Sequence, residues 1–234
     1  MKFLTLFQSL RNILSHLKKR RPSRKSSDTP LDWKKSELVG ICVGHSRFGD
    51  LGAVSFDKAV NEWSYNVSVA ESMRKTLKHD GIESIVYKNY GSNSYSGAMG
   101  FLKGKLRDDK ATLAVELHFN SYNTKVRGSE TWYRQGYEHS KKLASFLQDS
   151  VIESYGSTDR GIKPAHRYDN GYGFLNNPDI PAALCEPFFG DNKEDYLLFS
   201  KPEELGKTLA NGIKNFLLNK HTSNQSARKD NAVE

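Results

Sequence analysis

Short apolar runs alternate with longer amphipathic stretches along most of the chain. Residues 39–43 and 112–115 are largely apolar and predict buried strands, whereas residues 57–79 repeat apolar positions at helical spacing. Strands that alternate with helices pack as an α/β fold. The pattern therefore predicts one domain built as a three-layer sandwich, with a mixed, mostly parallel twisted sheet flanked by helices.

The remaining segments follow the same alternation. Further strands are predicted at residues 82–87 and 130–134 and in the run that ends at Glu186, and further helices at residues 138–155 and 203–218. Residues 90–104, rich in Gly, Ser, Asn and Tyr, predict either a plain loop or a mobile segment beside a groove. A second loop is predicted through Pro164 and Gly173.

Composition agrees with one globular domain plus extensions. The chain has 234 residues, of which 37% are hydrophobic and 26% charged, so it can bury a full core. Its two cysteines, Cys42 and Cys185, lie in strand-like runs and are predicted to be small buried residues without a disulfide.

The excess of positive charge lies at the N-terminus. Residues 1–25 contain eight Lys and Arg and no Asp or Glu, which equals the net charge of +8 for the whole chain. Apolar residues at helical spacing predict an amphipathic helix at residues 1–17. A basic flexible linker is predicted at residues 18–36, the folded domain at residues 37–219, and a polar, disordered tail at residues 220–234.

Two interpretations of the N-terminal segment stay open. The helix and its basic tract suit binding to an anionic membrane or outer-envelope surface, but the helix could also dock on the folded domain. Nucleic-acid binding is not expected, because the basic run lacks interleaved aromatic residues. Gln8 and Arg11 interrupt a short apolar core, so neither a classical signal peptide nor a transmembrane span is predicted.

Four residues in the middle of the chain suggest metal-dependent chemistry. His45 and His118 each follow an apolar run, at the strand ends where α/β active sites form, and with Glu62 they suit a catalytic zinc. Glu186 ends the apolar stretch 180–185, where an unpaired carboxylate would be costly to bury. The alternative is a structural role for each residue, with hydrogen-bonded histidines and a solvated Glu62.

Six motifs around these residues occur in the order of a known family. They are Gly44-His45 with residues 49–53, Glu62, residues 117–121, residues 128–133, residues 160–163 and residues 182–192. On these motifs the chain resembles the zinc-dependent N-acetylmuramoyl-L-alanine amidases of the type called amidase 3, found in bacterial autolysins, cell-division amidases and phage endolysins. The resemblance covers residues from about 37 to 218.

The resemblance implies a function and a role for each of the four residues. His45, Glu62 and His118 would bind one Zn²⁺ per chain, and Glu186 would be the catalytic carboxylate, acting as general base and then as general acid. The substrate would be peptidoglycan. The bond hydrolysed would be the amide between N-acetylmuramic acid and L-alanine.

The chain departs from the family pattern at two places. Residues 46–48, which include Arg47, replace a usual glycine pair and alter the loop beside the metal. Glu116 stands where a small residue is common, and it shares a strand face with His118, so it could orient that ligand or pair with a nearby Lys or Arg. Asn120 and Lys163 are, like Arg47, candidates for substrate contact or for support of the ligands.

Because no export signal is predicted, we expect the enzyme to reach the cell wall by another route. We expect a monomer that is synthesised in the cytoplasm and acts on the wall after release through a holin or lysis, which favours a phage or prophage endolysin over an autolysin. Two rival hypotheses remain. One is a peptidoglycan-binding module that has lost catalysis, and the other is a zinc hydrolase of the same scaffold that acts on a different amide.

Overall fold

The computed structural model describes residues 33–45, 49–89, 94–169, 171–176 and 179–230, with side chains described as far as residue 223. The strands in these ranges are β1 (Leu38–Val43), β2 (Glu83–Tyr87), β3 (Leu113–Leu117), β4 (Ser129–Arg134), β5 (Asp159–Ala165) and β6 (Ala182–Glu186). The α-helices are α1 (Glu62–His79), α2 (Tyr95–Asp108), α3 (Glu138–Tyr155), α4 (Tyr172–Leu175), α5 (Lys193–Leu198) and α6 (Pro202–Asp230). A 3-10 helix at Trp33–Ser36 precedes β1.

The strands form one mixed sheet in the order β2-β1-β3-β6-β4-β5. β1 pairs in parallel with β2 and β3, β3 with β6, and β4 with β5, while β4 runs antiparallel to β6. The predicted mixed, mostly parallel sheet is therefore confirmed. The C-terminal ends of β1, β3 and β6 meet at one edge, which brings the segments after these three strands together.

Helices cover both faces of the sheet, as the three-layer prediction requires. On one face α1, α3 and α6 enclose the larger core, whose helical side chains include Met73, Leu147 and Ile213. On the other face α2 and α4 contribute a smaller core that includes Leu102 and Phe174. The strands supply both cores because successive side chains point to opposite faces.

The two cysteines follow this alternation. Cys42 belongs to the smaller core and Cys185 to the larger one, and both are buried and free, as predicted. Cys185 and its neighbour Glu186 therefore face opposite sides of the sheet, and the Cys185 thiol points into the larger core, away from the side that Glu186 faces.

The first long helix starts later than predicted. α1 begins at Glu62 rather than at Asp57, because the Asn61 side chain caps it by accepting a hydrogen bond from the backbone N–H of Ser64. The preceding residues form a turn in which Asp57 accepts bonds from the Ser55 hydroxyl and from the Ala59 backbone. The cap places Glu62 in the first turn, beside the loop that follows β1.

Two predicted loops contain regular structure. The predicted loop at residues 90–104 is wrong for its second half, where α2 begins at Tyr95 and buries Met99, Leu102 and Leu106 at helical spacing. The loop through Pro164 and Gly173 is also wrong, because it contains β5 and the short helix α4. β5 is an edge strand, and an edge strand can hold a proline because one side of it needs no ladder hydrogen bond.

The C-terminal helix is longer than predicted. α6 continues past Leu218 to Asp230, so the predicted disordered tail is helical over residues 220–230. No Gly or Pro interrupts this stretch. The last part of the predicted linker is ordered as well, since Trp33 stacks on His221 of α6 with ring centroids 5.0 Å apart.

The predicted amphipathic helix at residues 1–17 lies outside the described residues, as does most of the basic linker. Among the helices that are described, none combines the length and the apolar character that crossing a membrane would require.

Candidate metal centre and active site

The predicted ligands meet at the sheet edge formed by the ends of β1 and β3. His45 follows β1 after Gly44, His118 directly follows β3, and Glu62 begins α1 beside them. His45 has a backbone φ of 65°, a left-handed conformation that is uncommon for any residue other than glycine and that clusters at functional sites. The chain thus turns sharply where the first imidazole projects.

Glu62 lies between the two imidazoles. Its Oε2 atom is 3.1 Å from His45 Nε2, and its Oε1 atom is 2.9 Å from His118 Nδ1. One ligand atom from each of the three side chains can be chosen so that all lie within 4.8 Å of one another. The structure therefore brings the three residues together as the sequence predicted.

Backbone groups hold the Glu62 carboxylate in this position. The Ala53 N–H donates to Oε2 at 2.9 Å, and the Phe119 N–H donates to Oε1 at 3.0 Å. Both carboxylate oxygens are thus fixed from the loop that precedes α1 and from the end of β3. Fixed oxygens reduce the rearrangement needed for a cation to bind.

Two glycines make room for the ligand side chains. A Cβ atom on Gly44 would lie 2.2 Å from Cε1 of His118, and one on Gly52 would lie 2.5 Å from Oε2 of Glu62. Gly52 also has a φ of 72°, which disfavours any larger residue. The glycine of the Gly44-His45 motif is therefore required by the second histidine, not by the first.

Sequence reasoning did not single out Asp50 as a site residue. Its Oδ2 atom lies 2.9 Å from His45 Nδ1, and its Oδ1 atom accepts the Gly52 N–H at 3.0 Å. The sequence contained an indication of its role, because Asp50 belongs to the family motif at residues 49–53. Only the fold shows that Asp50 contacts the ring nitrogen of His45 that points away from Glu62.

Opposite charges stabilise each other at this edge. Burial alone would raise the pKa of Glu62, but hydrogen bonds from His118 and His45 outweigh burial and lower the pKa to about 2. Burial would lower the pKa of His118, whereas Glu116 and Glu62 raise it well above its usual value. Glu62 is therefore ionised at neutral pH, as a carboxylate ligand must be.

Glu186 ends β6 at the same edge. It lies in register with Glu130 of β4, and its Oε2 atom is buried without a hydrogen-bond partner among the described residues. Burial raises the pKa of Glu186 to about 8; the charges of Glu62 and Glu130 add to this, and those of His118 and His45 oppose it. These interactions place Glu186 in one electrostatic cluster with the ligand residues.

A groove opens among the segments that follow β3 and β6. Its volume is about 350 Å³, and its lining includes Asn120, Tyr122, Arg160 and Phe189. Glu130 organises the polar part, because it accepts hydrogen bonds from Asn120 Nδ2 at 3.0 Å and from Arg160 Nε at 2.7 Å. The predicted site residue Asn120 thus lines the groove together with Arg160, and Glu130 holds both side chains, although neither Arg160 nor Glu130 was singled out as a site residue.

The structure describes the positions of two of the three other predicted site residues, Glu116 and Lys163. Glu116 is buried on β3, with its Oε2 atom 3.5 Å from His118 Nε2. Lys163 lies on the edge strand β5 in register with Trp132 of β4, so β4 separates it from the strand of Glu186. Arg47 lies outside the described residues. Roles in substrate contact stay predictions for Lys163 and Arg47.

Comparison with known proteins identifies the family of the chain. The family profile described as N-acetylmuramoyl-L-alanine amidase, of type amidase 3, matches residues 39–218. The N-acetylmuramoyl-L-alanine amidase LytC of Bacillus subtilis is 26% identical over 162 residues, which cover 68% of this chain and 30% of LytC.

Solved structures share the fold. The CwlD amidase from Clostridioides difficile, determined in complex with the GerS lipoprotein, has a TM-score of 0.69 at 22% identity, covering 77% of this chain and 98% of that one. The catalytic domain of the CD27L endolysin, which targets Clostridia Difficile, has a TM-score of 0.65 at 27% identity, covering 76% and 97%. The chain therefore belongs to the amidase 3 family of N-acetylmuramoyl-L-alanine amidases.

Proposed function

We propose that the chain hydrolyses the amide between N-acetylmuramic acid and L-alanine in peptidoglycan with one Zn²⁺ held by His45, Glu62 and His118. The observation that carries the proposal is the convergence of two imidazoles and one carboxylate, with ligand atoms within 4.8 Å of one another. Glu186 lies beside them with a buried oxygen that lacks a partner among the described residues.

The donor set fits zinc. Catalytic zinc sites commonly use three protein ligands drawn from His and Glu and leave one position for water or substrate. Neighbouring groups also hold the proposed ligands in place: Asp50 contacts His45, and backbone N–H groups donate to Glu62. Such support is usual at zinc sites, where it orients the ligands and tunes the metal.

Glu186 supplies the proton transfers. Zinc, when bound, polarises a carbonyl and activates water at neutral pH. The Glu186 carboxylate can accept a proton from the attacking water and donate it to the nitrogen of the leaving L-alanine. Its position at the same sheet edge suits both steps, because burial raises its pKa to about 8, close to neutral pH, where a carboxyl can both accept and donate a proton.

The groove lined by Asn120, Arg160 and Phe189 is suited to the polar substrate. Arg160 holds its guanidinium over the Phe189 ring, 5.1 Å from the centroid, while its Nε atom is tied to Glu130. The remaining guanidinium nitrogens can bind a carboxylate or an amide carbonyl of the stem peptide. Asn120, fixed by the same Glu130, offers its side chain for a second hydrogen bond.

Digestion of purified sacculi tests the proposal. The wild type should release L-alanine amino termini and leave the glycan strands intact, and a chelator should stop the release. Glu186→Gln should keep the zinc but lose about two to four orders of magnitude in rate. Glu153→Gln, which changes an exposed glutamate on α3, is the matched control and should keep the wild-type rate.

Three results would contradict the proposal. New reducing ends in place of amino termini would indicate a glycosidase. Binding to sacculi without any cleavage would indicate a module that has lost catalysis. Cleavage of another amide, with the muramic acid linkage intact, would indicate a zinc hydrolase of different specificity.

We propose further that the enzyme serves as an endolysin, a role supported by the likeness to the CD27L catalytic domain. Expression in a susceptible bacterium should then leave cells intact until the membrane is permeabilised by a holin, and should lyse them afterwards. Lysis without permeabilisation would contradict release-dependent action. We also propose that residues 1–25, with eight basic and no acidic residues, bind an anionic envelope surface.

A further inference from the structure

Glu116 is a buried carboxylate in an unusual place. It lies on β3 with 3% of its surface exposed, and its neighbours in register are Cys42 on β1 and Leu184 on β6. It faces the side of the sheet that carries the smaller core. A carboxylate buried among apolar residues is costly unless a charged or hydrogen-bonding group compensates it.

The His118 ring lies between Glu116 and Glu62. The His118 Nε2 atom is 3.5 Å from Glu116 Oε2, and its Nδ1 atom is 2.9 Å from Glu62 Oε1. The two contacts use opposite nitrogens of one ring. The ring also packs closely against Gly44, the residue that follows β1, because a Cβ atom there would lie 2.2 Å from His118 Cε1.

A carboxylate beside one nitrogen decides what the other nitrogen can do. A neutral imidazole carries one N–H, and a carboxylate at Nε2 keeps that hydrogen there, which leaves the Nδ1 lone pair for a metal. His45 shows the same arrangement with its nitrogens exchanged, since Asp50 contacts Nδ1 and Nε2 faces Glu62. Each histidine thus has a carboxylate on the side away from Glu62.

We infer that Glu116 is a positioning residue for the metal: it fixes the ring of His118 so that Nδ1 is the ligand atom, as Asp50 fixes His45 for coordination through Nε2. The inference rests on the proposed zinc site. It also makes the two histidines bind through different ring nitrogens.

Zinc affinity measured by competition with a chelator tests the inference. Glu116→Gln keeps the size of the side chain but removes its charge, and it should weaken zinc binding by about 10- to 100-fold. Glu116→Ala should weaken it at least as much. The absorption spectrum of the cobalt-substituted protein should also change in both variants, because the geometry of the coordinated His118 changes.

Glu37→Gln is the matched control. Glu37 is likewise only 3% exposed, but it directly precedes β1, at the end of that strand opposite His45. Its replacement should alter thermal stability and leave zinc affinity and the cobalt spectrum unchanged. This control separates loss of a buried charge from loss of a ligand support.

Wild-type zinc affinity and an unchanged cobalt spectrum in folded Glu116→Gln would overturn the inference and leave Glu116 a structural carboxylate. The proposed function would survive that result. A wild-type protein that binds no zinc would instead contradict the proposed function, and the inference with it.

Discussion

At the scale of single residues, the site depends on two glycines as much as on its functional side chains. His118 can occupy its position only because Gly44 has no Cβ atom, and Glu62 depends in the same way on Gly52. The functional groups are held by backbone N–H donors and by carboxylates behind the histidines. A small steric change next to the ligands should therefore act on the metal before it acts on the fold.

Gly44→Ala tests this dependence. The added methyl group would lie 2.2 Å from the His118 ring, so the ring must move and zinc content should fall sharply. Gly104→Ala in α2 is the control, because its Cβ meets nothing within 4 Å, and it should stabilise the helix by about 0.5–1 kcal/mol. Zinc analysis and thermal unfolding of both variants give the measurement. Full zinc content in Gly44→Ala would contradict the steric account.

At the scale of elements, the start of β1 is tied to the C-terminal half of α6. Glu37 accepts hydrogen bonds from Lys220 Nζ at 2.7 Å and from the Thr112 hydroxyl at 2.5 Å, and its Oε1 atom lies 2.6 Å from His221 Nε2. Trp33 stacks on the same histidine. This cluster explains why α6 is ordered beyond the end that its apolar pattern predicts.

The cluster should make stability depend on pH in the acidic range. Burial would raise the pKa of Glu37, but hydrogen bonds from Lys220 and Thr112 lower it below the unfolded value of 4.5. Its stabilisation is therefore complete above pH 4.5 and is lost as pH falls through the folded pKa. Glu37→Gln should cost about 1–3 kcal/mol at pH 7 and progressively less below pH 4.5, in denaturant unfolding.

A truncation supplies the control for that prediction. Removing residues 220–234 deletes Lys220 and His221, so Glu37→Gln should cost much less in the truncated chain than in the full chain. Equal costs in the two backgrounds would show that the cluster does not stabilise the fold.

The sequence could predict those strands and helices whose pattern of apolar residues matches their burial in the fold. β1 and β3 are buried on both faces, so their continuous apolar runs identify them. α2 escaped prediction because Gly97, Gly100 and Gly104 obscure the helical spacing of its apolar residues. The convergence of His45, Glu62 and His118 could be predicted from residue type and motif order. The contacts of Asp50 with His45 and of Glu130 with Arg160 form only on folding.

At the scale of the whole molecule, the N-terminal segment carries the excess of positive charge, and residues 26–234 together carry no net charge. Residues 1–25 supply eight basic residues, which equals the net charge of +8. The proposed metal ligands and Glu186 all lie in the part of the chain that the family profile matches, residues 39–218. Chemistry and surface binding should therefore be separable by deletion.

Deleting residues 1–25 should leave hydrolysis of soluble wall fragments nearly unchanged and weaken binding to anionic vesicles. The difference should shrink as salt rises, because exposed charges are screened over about 8 Å at physiological ionic strength. Co-sedimentation of both forms with vesicles at low and high salt gives the measurement. Equal sedimentation would reject surface binding, and a truncated form that unfolds would favour a helix docked on the enzyme.

The most direct test of the central claim is a zinc titration of metal-free protein with amide hydrolysis as the readout. Release of L-alanine amino termini should rise in proportion to added zinc and level off at one equivalent per chain, and the His45→Ala, His118→Ala double variant should neither bind zinc nor gain activity. Full activity in the metal-free protein, or full zinc content in the double variant, would contradict the assignment.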